Sequence, residues 1–443
     1  MSERLRSVGL DVGTTTTQLV VSELAIENQA GAFAVPQMAI TERRILYRSP
    51  VYFTPLVGQN LVDGGAIREI VEKEYAAAGI KREDLDTGAV IITGETSRKE
   101  NARAVLENLS EFAGDFVVAT AGPDLESILA AKGAGAVEYS EKTGKTVLHM
   151  DIGGGTSNLA LIENGKITAT GCLNVGGRLL KFDENGETVY VSPVLKGFAE
   201  HTQEIVEKLV QALEMAAGLR PPDKLFRHFW TEECLGSADW LKALPKEAPV
   251  ISFSGGVANC IEKEQEALAF GDIGPALGKA IRKSRLCRGQ YRLGDQTIRA
   301  TVIGAGCHSA QLSGCTVFYR NIEFPLKNLP VVRASTPAQM QKRLQEQDGD
   351  AVLALEGISS PSYRQVVELA EQIAKAAGNR PVYIALEQDM AKALGQAIAL
   401  LLPKERPCLC IDSVALEEGS FLDVAAPVGP ALPVVIKTLI LGG

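Results

Sequence analysis

The chain has 443 residues, 46% hydrophobic and 22% charged, the balance of a globular protein with room for two or three domains and too apolar for a disordered or fibrous one. Its 54 acidic and 45 basic residues leave a net charge of −9, which argues against a nucleic-acid partner, because binding a phosphate backbone needs clustered Lys and Arg. Residues 397–402 and 425–441 are the greasiest stretches, but the first is short and the second is broken by Pro427, Pro430, Pro433 and Lys437, so no membrane partner is expected. The first eight residues lack an apolar signal segment, and eight scattered cysteines without a CxxC pair read as reduced cytoplasmic thiols.

In chain order, the first recognisable unit is an apolar run at 8–10, the motif Asp11-Val-Gly-Thr-Thr-Thr-Thr-Gln-Leu19, and a second apolar run at 19–21. It reads as strand, Gly/Thr turn, strand. A strand is expected over 90–93 and a helix over 123–135, whose small C-terminal residues allow close packing between lobes. Asp151-Ile-Gly-Gly-Gly-Thr-Ser-Asn-Leu159 then repeats the first motif, with Asp, Gly, Thr and Leu in register 140 residues on. That spacing is far too long for a solenoid and fits two related lobes, each opening on the same hairpin. The second hairpin continues through Glu163-Asn-Gly-Lys166, a tight turn whose two central residues suit positive φ.

Further along, residues 201–217 place Ile205, Leu209, Leu213 and Ala216 on one helical face, with Gly218 as the stop. Residues 250–258 read as a strand ending in a glycine pair, and 301–309 as a segment of small residues around Gly304-Ala-Gly306. Beyond about 319, short apolar runs alternate with amphipathic helices, a βαβ pattern that predicts a separate parallel-sheet domain, with residues 324–330 as its linker. The expected architecture is α/β: lobe I over 1–145, lobe II over 146–320 and a C-terminal α/β domain over 321–443.

Two familiar phosphate motifs are excluded. Gly144-Lys145-Thr146 ends like a Walker A loop, but its required upstream glycine is Tyr139 and a strand follows it. Gly304-Ala-Gly306 runs on into Cys307 and His308 without completing a dinucleotide fingerprint. The duplicated hairpins offer another solution. Backbone amides and hydroxyls of Gly13, Thr14, Thr15 and Thr16, and of Gly153, Gly154, Gly155, Thr156 and Ser157, make two anion nests. An aspartate at the end of each first strand puts Asp11 and Asp151 across one cleft, where they repel unless Mg²⁺ and a polyphosphate lie between them. Both are candidate metal ligands and catalytic residues. Gly255, Gly256 and Val257 would let a flat adenosine lie against bare backbone, and Gly304 belongs to a second small-residue segment suited to a nucleotide cleft. Each glycine motif taken alone also reads as a tight turn or as helix–strand packing. Glu95, with Arg98, follows the strand at 90–93 and would face a γ-phosphate, Glu95 assisting water; a solvated loop is the competing reading. His149 reads as a hydrogen-bonded core residue, and Cys307-His308 and Cys408-x-Cys410 have too few companions for a metal.

The order of these motifs resembles the superfamily of actin, sugar kinases and heat-shock chaperone ATPases. The resemblance implies a two-lobed actin-like (ribonuclease H-like) ATPase fold in which residues 11–16 and 151–157 hold phosphates and Mg²⁺, residues 254–257 meet adenosine, and residues 123–135 and 304–309 connect the lobes. Three segments and the total length go further: Ile91-Ile-Thr-Gly-Glu-Thr-Ser-Arg-Lys-Glu-Asn101, Ala119-Thr-Ala-Gly-Pro-Asp-Leu-Glu-Ser127 and Phe270-Gly-Asp-Ile-Gly-Pro275 resemble the ethanolamine ammonia-lyase reactivating factors. Such a resemblance implies an ATPase chaperone that binds ATP, ADP and Mg²⁺ and releases damaged cobalamin from its partner, ethanolamine ammonia-lyase. Adenosylcobalamin then belongs to the partner enzyme. It further implies a cytoplasmic protein, at an ethanolamine-degrading bacterial microcompartment, and leaves a homodimer open. The competing readings are a small-molecule kinase on the same fold, for which no acceptor-side motif stands out, and a structural relative of actin.

Overall fold

The computed structural model describes residues 3–13, 16–28, 38–57, 61–93, 117–120, 122–198, 201–231, 240–266, 268–308, 310–313, 317–347, 349–414, 416, 420–427 and 432–438. Lobe I is built on β1 (Glu3–Val12), β2 (Thr16–Asn28), β3 (Met38–Arg48), β4 (Thr87–Ile92) and β5 (Val117–Thr120), in the sheet order β3-β2-β1-β4-β5. The first three strands form an antiparallel meander, and β4 and β5 add on in parallel. One face of β1, carrying Val8, Leu10 and Val12, packs with Ile67 and Val71 of α1 (Gly64–Ala78). Its other face carries Ser7, Gly9 and Asp11, since side chains alternate along a strand.

A helix pair joins the lobes. The first, α2 (Pro123–Gly133), leaves the last strand of lobe I but packs on the sheet of lobe II, and is followed by α3 (Ala136–Thr143). Lobe II repeats the first sheet with β6 (Val147–Ile152), β7 (Ser157–Glu163), β8 (Lys166–Leu173), β9 (Val250–Ser254) and β10 (Tyr291–Leu293), in the order β8-β7-β6-β9-β10. The β7–β8 turn has Asn164 and Gly165 at φ 49° and 76°, as the Asn-Gly pair predicts. Its core also takes in α4 (Thr202–Ala216), followed by Gly218 at φ 70°, and α5 (Gly274–Lys283). The second connector, α6 (Ala300–His308), returns from lobe II and packs on β1, β2 and β4 of lobe I.

These connectors cross almost backbone to backbone. A Cβ on Gly133 would lie 1.9 Å from the Ala300 carbonyl oxygen, and one on Gly304 2.1 Å from that of Leu129. Glycine at both places is what lets α2 and α6 touch.

The C-terminal sheet contains β11 (Ala310–Ser313), β12 (Phe318–Arg320), β13 (Leu326–Arg333), β14 (Val352–Leu355), β15 (Val382–Leu386), β16 (Cys408–Ile411), β17 (Ser420–Val424) and β18 (Leu432–Thr438), in the order β11-β18-β17-β13-β14-β15-β16-β12. Three helices, α7 (Pro337–Gln345), α8 (Tyr363–Ala377) and α9 (Ala391–Leu401), cover one face. Three expectations change here. The parallel core β13-β14-β15-β16 is flanked by antiparallel strands on both sides, so the sheet is mixed. The expected linker at 324–330 contributes most of β13, which pairs antiparallel with β17 up to Pro330 and parallel with β14 from Val331. Pro330, lacking an N–H, sits where the partner changes. The sheet also reaches back across the expected boundary at 321, because β11 and β12 lie in it, and β18 and β11 pack beside β5 and β3 of lobe I. No helix among the described residues is long and apolar enough to cross a membrane.

Candidate functional site

The two Asp hairpins share one geometry. In the first, the Gly13 N–H donates to the Thr16 carbonyl at 2.9 Å, and Asp11 stands opposite Gln18 in the ladder. In the second, the Gly153 N–H donates to the Thr156 carbonyl at 2.9 Å, and Asp151 stands opposite Asn158. The second turn is tied down from behind, where the Gly177 and Arg178 amides donate to the Gly153 and Gly154 carbonyls at 3.0 and 2.7 Å. That consumes the turn's acceptors and leaves the Gly154 and Gly155 amides for an anion.

Both hairpins open onto one cavity of about 390 Å³ between the lobes, the size range of small-ligand sites. Asp11, Gly13 and Thr16 line it from lobe I; Asp151, Gly153, Gly154, Gly155 and Thr156 line it from lobe II. Gly255, Gly256 and Val257 form another wall. The glycine pair divides its work. Gly255 has φ 86°, and a Cβ there would lie 2.3 Å from the Ile152 carbonyl oxygen, whereas a Cβ on Gly256 would meet nothing within 4 Å. The first is required by the backbone and the second faces open cavity.

Three expected site residues, Thr14, Thr15 and Glu95, lie outside the described residues, as does Arg98. Two others stand elsewhere. Ser157 is fully buried and its hydroxyl donates to the Val175 carbonyl at 2.7 Å, so the alternation of β7 turns it away from the cavity. Gly304 is not in the cavity wall but at the α2–α6 crossing described above.

Each aspartate receives a hydroxyl from a neighbouring strand or its end. Thr93 donates to Asp11 at 2.9 Å, and Ser254 donates to Asp151. Burial pushes Asp11 up to about 7, against the Thr93 hydroxyl and with the charge of Asp151 adding to it. Burial likewise pushes Asp151 up to about 6, against the hydroxyls of Ser254 and Thr301. Behind Ser254 lies His149, a buried core residue with Nε2 at 2.9 Å from that hydroxyl and Nδ1 at 3.1 Å from Ser252 Oγ. Because Ser254 spends its proton on Asp151, His149 donates from Nε2 and accepts at Nδ1. Burial holds it down to about 3, hence neutral.

Several residues of the cavity were not singled out from the sequence. Glu126, in the first turn of α2, accepts from Asn158 Nδ2 at 2.7 Å and faces the floor beside the aspartates. It lies within the segment 119–127, and an acid in the first turn of a helix following a strand is the signal that marks it. Arg178 pairs with Asp272 at 3.1 Å and lies over the Phe53 ring of lobe I, 5.3 Å from its centre, so it bridges the two sides of the cavity. Asp272 in turn caps α5, accepting from the Gly274 N–H at 2.8 Å. Among the described lining residues, Asp11, Glu126, Asp151 and Asp272 are acidic and Arg178 is the one basic group.

Among the described residues no group of three or more His, Cys, Asp or Glu could hold a metal ion by itself, so a divalent cation would rest on Asp11 and Asp151 with its other ligands from a polyphosphate and water. Two buried aspartates facing one cavity, both raised above the ordinary carboxylate range, ionise together when a cation offsets them. The carboxylates offer oxygen ligands, as Mg²⁺ prefers.

The solved Aquifex aeolicus PPX-GPPA enzyme is 13% identical, with a TM-score of 0.42, over 68% of this chain and 99% of that one. Sequence similarity is much stronger to two curated relatives. The ethanolamine ammonia-lyase reactivase EutA of Salmonella typhimurium (strain LT2) is 37% identical over 470 residues, 99% of each chain. That of Escherichia coli (strain K12) is 36% identical over 485 residues, again 99% of each. With a pair of lobes built on the same sheet order, a shared cavity between their Asp hairpins, and a match of residues 3–442 to the model for ethanolamine utilisation protein EutA, the chain belongs to the EutA family.

Proposed function

We propose that this protein is an ATP-dependent reactivating chaperone, which binds inactivated ethanolamine ammonia-lyase and releases its damaged cobalamin so that adenosylcobalamin can rebind. The observation that carries the ATPase part is the meeting of Asp11 and Asp151, from two copies of one hairpin, at the floor of one interlobe cavity. Full-length likeness to two named reactivases supports the choice of partner.

In this reading the Gly154 and Gly155 amides and the hydroxyls of Thr16 and Thr156 hold the phosphates, and Gly256 and Val257 lie against adenosine. Asp11 and Asp151 would hold Mg²⁺, which when bound neutralises phosphate charge. Glu126, a second candidate beside the expected Glu95, orients the attacking water and takes its proton as the oxygen bonds to the γ-phosphorus and the bond to the ADP oxygen breaks. Arg178 supplies positive charge at the mouth. The interlobe position of the cavity makes γ-phosphate loss a change in how the lobes are held together.

Incubating the protein with cyanocobalamin-inactivated lyase, ATP, Mg²⁺ and adenosylcobalamin should restore deamination. No recovery, together with ATP consumed in proportion to a phosphorylated small molecule, would favour the kinase reading instead.

A further inference from the structure

Among the described residues that line the cavity, one buried side-chain polar atom is without a hydrogen-bond partner. Gln18 is 3% exposed and lines the cavity, and its Nε2 donates to the Ile298 carbonyl at 3.1 Å. That bond fixes the amide, because a flipped Gln18 would set two carbonyl oxygens against each other. Its Oε1 is buried and receives no hydrogen bond. A buried acceptor left unmet is costly, so a native site is expected to bring it a donor.

The neighbours define that donor. Gln18 stands directly opposite Asp11 in the β1–β2 ladder, so the two side chains share a face. The equivalent position in lobe II, opposite Asp151, is Asn158, whose amide donates to Glu126. The floor thus presents the carboxylates of Asp11, Asp151 and Glu126 and the Gln18 carbonyl, which are all acceptors when the acids are ionised. A phosphate oxygen is itself an acceptor and cannot satisfy Gln18. Water on a divalent cation can, since it directs its protons outward and Mg²⁺ keeps several of its waters.

Resting on the nucleotide-site reading above, we infer that Gln18 is a positioning residue of the cation site, its Oε1 accepting a hydrogen bond from a water carried by the divalent cation. The lobe I hairpin then contributes two groups to the cation, Asp11 and the residue across the ladder from it. Outer contacts of this kind are worth about 10- to 100-fold in metal affinity.

The test is Mn²⁺ binding to the full-length protein with ADP, read from the electron paramagnetic resonance of free Mn²⁺. Gln18→Met keeps the side chain's size and removes both amide groups; Gln18→Glu keeps an acceptor but cannot donate to Ile298. Mn²⁺ affinity should fall about tenfold in Gln18→Met and be equal to or tighter than the parent's in Gln18→Glu. Parental affinity in a folded Gln18→Met, or weakened affinity in Gln18→Glu, would overturn the inference and leave Gln18 as an anchor for the start of α6. If Gln18→Met does not fold, Gln18→Glu alone decides between tightening and weakening. Asp151→Asn serves as the reference for loss of the site. Failure of the parent itself to bind Mn²⁺ with ADP would instead sink the nucleotide-site reading.

Discussion

Asp11 and Asp151 are placed by backbone pairing and tuned by burial, and their behaviour with pH follows from that. In the metal-free protein Asp11 is raised from 3.8 to about 7 and Asp151 from 3.8 to about 6. A carboxyl raised in the native state binds its proton more tightly there than in the unfolded chain. Its contribution to stability is full below about 4 and is lost as pH rises through the native value. Metal-free protein should therefore lose melting temperature between about pH 4 and 7, and Asp11→Asn should flatten the fall; an identical slope in that variant would contradict the assignment. Cations compete with the same protons, so Mg²⁺ affinity measured with ADP should rise over that interval. Glu126→Gln should lower ATP hydrolysis by at least about a hundredfold, the scale of a lost general base, with ADP affinity near the parent's. Hydrolysis at the parental rate would remove Glu126 from the water. At this scale the repeat made the aspartates legible from sequence, since one Asp-x-Gly-x-x-Thr pattern occurs twice in register. Glu126 was not legible as a catalytic candidate, because it depends on α2 crossing from lobe I to the sheet of lobe II, which brings an acid 115 residues from Asp11 to the same floor.

At the scale of elements, the glycines of the connecting helices carry the argument. Gly-x-Gly in an apolar segment reads equally as a ligand cradle or as a close helix crossing, and only the position of α2 against α6 decides for the second. Gly304 thus belongs to the frame that holds the lobes together. Gly304→Ala should destabilise the protein by about 1–3 kcal/mol, the usual cost of forcing atoms into a packed contact, as measured by urea unfolding. Unchanged stability would mean that the helices can separate freely. Gly256→Val, facing open space, should leave stability alone and weaken ATP and ADP alike; equal nucleotide affinity would leave Gly256 without a ligand. The Asn-Gly turn and α4 were legible because turn chemistry and a 3.6-residue period are local signals. Strands β11 and β12 were not, being four and three residues long, too short for any period to register. Pro330 disguised β13 as a linker, since proline argues against a strand except where its missing N–H does not matter.

Across the whole molecule, two lobes with one sheet order meet at a single cavity, and the C-terminal sheet leans on lobe I through β11 and β18. On the proposed function, a nucleotide bound in the cavity would touch both lobes, so its γ-phosphate would bear on how they are held together. A ligand shifts a conformational equilibrium only by binding the two states differently, and the same coupling must make the partner's affinity depend on the nucleotide. Inactivated lyase should therefore be retained differently by immobilised protein in ATP, in ADP and without nucleotide. The most direct measurement is the cyanocobalamin freed from inactivated lyase, followed by filtration and absorbance while ATP and Mg²⁺ are present. The parent should release the cofactor only with ATP and Mg²⁺, and Asp151→Asn should release none; release at the same rate without ATP, or by Asp151→Asn, would contradict the account.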